Sequence, residues 1–269
     1  MLSVALPVSS LALYLAAALR LALALRRHAT GRDPVILGLA TAAVVLHAIV
    51  LHAAVFVPDG LDLGFFHALS LAGWVIVALM LLLATAQPVE NLGIGLFPLA
   101  ALVVAADLLF GNGQPGPTVP AAAGGLDVHV LVTLGAYAVL GLATMQAIVL
   151  GVQHRLLHEH HPQGVVRALP PLYVMESLLF RLIAIGFVLL TVALLSGFVY
   201  LEDMFAQHLA HKTVLSPAAW VLFGVLLAGR RVAGWRGPTA VRFTLGGFVL
   251  LVLAYFGSKL VLELILART

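Results

Sequence analysis

Long unbroken apolar runs alternate with short polar breaks along the chain. The runs fall near residues 3–25, 35–57, 65–87, 92–110, 126–152, 173–201, 217–230 and 239–265. A hydrocarbon core of roughly 30 Å takes about 20 apolar residues as a helix, so each run is a candidate span and the seventh is short. The apolar positions are continuous rather than alternating, and an open sheet cannot satisfy its backbone in lipid, so strands are improbable. The pattern predicts an all-α polytopic membrane helix bundle of about eight transmembrane helices, built as a single transmembrane domain over residues 1–269. The breaks carry turn chemistry: Thr30-Gly31-Arg32-Asp33-Pro34, Pro58-Asp59-Gly60 and the Gly111–Pro117 stretch. The longest, about 154–172, is too short for a domain, so any chemistry must sit within the bundle or on its rims.

Composition supports this reading. Of 269 residues 62% are hydrophobic and 9% charged, against about 25% charged in a soluble domain. So few polar groups cannot cover the surface of a soluble globule, which excludes a soluble enzyme, a nucleic-acid module and a disordered chain. The net charge is only +3, but its placement is uneven. Arg26, Arg27, Arg32, Arg155, Arg167, Arg230, Arg231, Arg236 and Arg242 fall on one side, whereas Lys212 and Arg268 lie opposite. The positive-inside rule puts the larger group in the cytoplasm and both termini outside. In the first run the positive charges follow the apolar stretch, the reverse of a signal peptide, so a retained helix is expected. The chain has no cysteine, which removes disulfides, thiolate metal sites and thioether-linked haem.

Eleven histidines stand out in so apolar a chain. His28, His154, His158, His160 and His161 fall on the basic side, and His154 and His158 share the i, i+4 spacing of a chelate if the helix extends that far. A solvated loop is the simpler reading there, because Pro162 ends the element and no third ligand is fixed. His47, His52, His67, His129, His208 and His211 fall in the outer half of the spans or on the outer rim. One such histidine is ordinarily a satisfied interhelical contact, but six at one level suggest a function. Imidazole is the usual axial ligand of haem iron, and an apolar helix cage is a suitable host. His47 and His52 are five apart, about 140° around a helix, so at most one faces a given pocket. Of the other polar groups, Glu176 and Arg181 can snorkel, Lys259 and Glu263 read as an i, i+4 pair, and Asp107 lies near the outer end of its helix. No chain of acids crosses the membrane.

Leu169-Pro170-Pro171-Leu172, Glu176, the Arg181–Phe187 run, Leu190-Thr191 and Gly197 form a run that resembles the most specific helix of the CcsA/CcmC cytochrome c assembly family. Trp220, Gly234-Trp235-Arg236-Gly237 and Leu253-Ala254-Tyr255-Phe256-Gly257 are similar to its last two helices. Asp127-Val128-His129 resembles the position of an external haem-ligand histidine, and His47 the intramembrane one. The family's tryptophan-rich outer loop is absent: Glu202–Thr213 holds no tryptophan, and no histidine follows the last helix. The likeness is therefore to a shorter, eight-helix inner-membrane branch.

The resemblance implies a haem-handling protein of a bacterial inner membrane. Haem b would be bound by His129 with one of His47, His208 or His211, and no metal is expected beyond the haem iron. The work would be binding and hand-over rather than covalent attachment. Haem, other cytochrome biogenesis or membrane proteins and the lipid bilayer are the expected partners, with no nucleic acid. The alternative is a cofactor-free transporter or accessory subunit, for which Gly93, Gly95 and Pro98 permit a broken helix.

Overall fold

The computed structural model describes residues 2–27, 32–58, 60–111, 118–119, 126–159, 169–200, 210–257 and 259–260. The helices are α1 (Leu2–Arg26), α2 (Pro34–Val55), α3 (Phe65–Ala84), α4 (Gly93–Phe110), α5 (Leu126–His158), α6 (Leu172–Tyr200), α7 (Ala210–Val232) and α8 (Gly237–Val252). Among the described residues all eight are long and apolar enough to cross a membrane. Two boundaries differ from the sequence reading. Helix α5 runs on to His158, which places His154 and His158 on helix, and α7 starts at Ala210, so the seventh span is not short.

Three short strands also form, all outside the spans. β1 (Phe56–Val57) and β2 (Gly60–Asp62) make a hairpin, and β3 (Thr118–Val119) adds to its edge. All pairings are antiparallel, with Phe56 opposite Leu61 and Leu61 opposite Val119. Gly60 turns the hairpin at φ 139°, a conformation that a side chain would disfavour. The argument against strands holds inside lipid; at the rim, short strands satisfy backbone groups that leave the helices.

Helix ends follow local chemistry. Asp33 caps α2 by accepting from the Val35 N–H at 2.9 Å, and Pro34 occupies the first turn where no donor is needed. Arg20, a cation inside the first apolar run, reaches back to Asp33 at 2.9 Å. That guanidinium holds the Asp33 carboxyl below the usual carboxylate range. Arg32 pairs with Glu90 at 2.8 Å and also donates to the Ala84 carbonyl, tying the α1–α2 turn to the one between α3 and α4. Between α7 and α8, Gly234 and Gly237 take φ of 64° and 51°, and Trp235 folds back over Gly229.

The chain forms two compact units, one built on α1–α4 and the other on α5 up to Arg155 with α6–α8. In the first, α1 packs on α2 and α4, and α3 packs on α2 and α4, which closes a four-helix ring. Tyr14 of α1 stacks on Phe97 of α4 with centroids 6.5 Å apart, and Ser10 donates to the Ala43 carbonyl of α2 at 3.0 Å. In the second unit, Gly186 of α6 lies under Leu140 of α5, and Phe187 stacks on Trp220 of α7 at 5.2 Å. Gly247 of α8 meets the Phe223 ring of α7, and Tyr137 of α5 donates to the Leu251 carbonyl at 2.7 Å. At that carbonyl α8 passes into a π-helical turn, Leu253–Gly257. Lipid offers no hydrophobic drive between helices, so close glycine contacts and interhelical hydrogen bonds hold such rings together. The hydroxyls of Thr144, Thr191 and Thr244 each donate to the carbonyl one turn back, which meets their own demand inside the bundle.

Candidate functional site

His47, His52, His67 and His129 each have a distinct setting. His47 lies on the inward face of α2 and is fully buried in the first unit. Its Nδ1 meets the Tyr14 hydroxyl at 3.3 Å, and its Nε2 meets Ser70 Oγ of α3 at 3.0 Å. A neutral imidazole has one donor and one acceptor, and two hydroxyls satisfy both in either tautomer. Iron coordination by His47 therefore requires displacement of one hydroxyl. His52, on the opposite side of α2, is exposed and stacks on Phe56 at 5.1 Å, as the angular argument requires.

His67 begins α3 and is buried between two carboxylates. Its Nδ1 lies 2.7 Å from Asp107 Oδ1 of α4, and its Nε2 is 4.0 Å from Asp62 Oδ2 of the hairpin. Asp62 also accepts from the Gly64 N–H at 2.9 Å. Gly111 closes over the pair: a Cβ there would sit 2.5 Å from Asp107 Oδ1 and 3.0 Å from His67 Cε1. In the sequence Asp107 stands inside an apolar run. Its partner lies 40 residues away, and the only local sign was a carboxylate inside an apolar run.

His129 lies near the start of α5 in the second unit and is half-buried. Its Nδ1 is 2.8 Å from Ser196 Oγ of α6, while the same Oγ donates to the Ala193 carbonyl at 3.0 Å. With the serine hydrogen given to that carbonyl, the serine oxygen accepts from Nδ1–H of the imidazole, and in that tautomer Nε2 carries the lone pair. The ring also hydrogen-bonds the Ala193 backbone. A metal-ligating histidine commonly has one nitrogen oriented by such a bond while the other coordinates. The residues present fit a haem iron at this position. The signal for Ser196 in the sequence is a small hydroxyl inside an apolar run.

The remaining sequence candidates fall elsewhere. His208 lies outside the described residues, as do Glu263 and hence its expected pairing with Lys259. His211 falls in the first turn of α7, and its side chain is outside the described set. Lys259 lies 5.7 Å from the Tyr255 ring. Glu176 does not snorkel to solvent: its Oε1 accepts from the Gly237 N–H at 2.8 Å, tying α6 to the start of α8.

Residues 41–266 match the family described as cytochrome C assembly protein. The chain is 34% identical over 232 residues to the inner membrane protein YpjD of Escherichia coli (strain K12), covering 84% of this chain and 86% of that protein. It is 32% identical over 206 residues to a 28.8 kDa protein of Azospirillum brasilense, covering 74% of this chain and 76% of that one. To the cytochrome c biogenesis protein CcsA of Chlamydomonas reinhardtii it is 27% identical over 154 residues, 56% of this chain and 42% of that protein. No solved structure matches the chain. With eight apolar helices and an inner-membrane relative, this is a multi-pass inner-membrane protein. The chain belongs to the cytochrome c assembly protein family.

Proposed function

We propose that the protein handles haem during cytochrome c biogenesis, holding the iron through Nε2 of His129. Family membership supports a role in cytochrome c biogenesis. The observation that supports the finer reading is the hydrogen bond between Ser196 Oγ and Nδ1 of His129, which orients the ring. Bound haem b would supply an exchangeable iron porphyrin, held without covalent attachment by a chain that has no cysteine. Ser196 orients the imidazole and keeps its Nδ1 proton in place. His208 or His211 would supply a second ligand to the iron, whereas Tyr14 and Ser70 already satisfy both ring nitrogens of His47. The protein's task on this reading is to take up haem and pass it to a partner of the biogenesis machinery.

Absorption spectra of protein purified in detergent from haem-replete cells test this reading. A Soret band with sharp reduced bands is expected, and it should weaken or shift in His129→Ala. Protein that stays colourless after reconstitution with haem would overturn the reading and leave an accessory or transport role. A spectrum unchanged by His129→Ala would remove His129 from the ligand set.

A further inference from the structure

The second unit carries another built feature, at the end remote from His129. A cavity of about 280 Å³ opens between the last turns of α5 and the first turns of α8. It is lined by Gly151, His154, Arg155, Pro238, Val241 and Arg242. Gly151 allows the two helices to approach, because a Cβ there would already touch Val241 at 3.4 Å. Two arginines and an imidazole thus converge on one hollow, with Pro238 and Val241 as its apolar wall. The nearby carboxylate of Glu176 is engaged by the Gly237 N–H.

On α5, Ile148, Gly151, Val152 and Arg155 follow i, i+3, i+4, i+7 spacing and form one stripe. On α8, Arg242, Leu245 and Val249 follow i, i+3, i+7 spacing away from the cavity. Ile148 and Val152 on the first stripe and Val249 on the second are exposed apolar side chains. A cationic hollow with exposed apolar side chains on both of its helices matches an amphiphile with an anionic head. A free anion would use the hollow and leave those side chains without a role. Basic pockets between membrane helices recognise phospholipid headgroups in this way.

We infer that this cavity is a binding site for an anionic phospholipid, its phosphate held by Arg155, Arg242 and His154 and an acyl chain laid along Ile148, Val152 and Val249. The inference does not rest on the haem reading.

The full-length protein in detergent, titrated with phosphatidylglycerol and read by native mass spectrometry, tests the site. The R155Q/R242Q variant should bind roughly 30-fold more weakly, about fivefold for each arginine near a headgroup. R155K/R242K should keep its affinity. R26Q/R27Q, which removes exposed arginines at the end of α1 and just beyond it, should bind as the parent does. An equal loss in R26Q/R27Q would show diffuse charge attraction and overturn the site, as would equal binding of phosphatidylcholine. Displacement of the lipid by inorganic phosphate alone would assign the hollow to a free anion and overturn the lipid as its occupant. If R155Q/R242Q is not recovered folded, Arg242→Gln alone decides: a loss of about fivefold supports the site, and none overturns it.

Discussion

The imidazoles of His47 and His129 are held differently. Ser196 Oγ hydrogen-bonds Nδ1 of His129 from one side, whereas Tyr14 and Ser70 satisfy His47 from both. Ser196→Ala should therefore lower haem retention by about 10–100-fold, the usual cost of losing the partner that orients a ligating histidine. Haem titration of the purified variant checks this, and unchanged affinity would mean that Ser196 only packs. At His67, Asp107→Ala should cost about 1–3 kcal/mol in detergent unfolding experiments, because it strands a buried nitrogen. The histidines and carboxylates were legible in the sequence as polar exceptions in apolar runs, but their pairings were not. Periodicity reports which face of a helix a residue occupies; it does not report that Asp107 will meet His67, or that Glu176 will reach the backbone of Gly237.

Helix number and type were legible because length and apolar content fix a spanning helix almost alone. The ends of α5 and α7 were not, since both continue past the bilayer-length apolar run into polar sequence. The short strands escaped notice for a related reason: two-residue pairings leave no alternation to read. Contacts between helices depend on where small residues fall. A Cβ at Gly247 would lie 2.8 Å from the Phe223 ring, which is itself fully buried. Gly247→Ala should thus destabilise the protein by about 1–3 kcal/mol through overpacking, read as a lower unfolding midpoint. The α1–α2 junction answers to pH instead. Because Arg20 depresses the Asp33 pKa, the junction gains stability at pH above the ordinary carboxylate value and loses it as pH falls through the depressed one. The thermal midpoint should drop on that acid step in the parent and respond less in Asp33→Ala.

For the whole molecule, the basic residues make an orientation prediction. The positive-inside rule puts both termini outside, so an alkaline phosphatase fused to the C-terminus should be active and a green fluorescent protein fused there dark. The opposite pattern would overturn the orientation. The ring of the first unit also has a history in time. Helix α1 leaves the ribosome well before α4, on which it packs and which begins only at Gly93. At about 5–20 residues per second, α1 waits several seconds in the bilayer before the face that stacks on Phe97 is covered. During that wait Tyr14 has no α4 against it, and the bond from Ser10 to α2 is available earlier. The newborn chain is thus most vulnerable to capture by quality-control proteases during those seconds, and a slow codon run just before α4 would lengthen the exposure without changing a single residue.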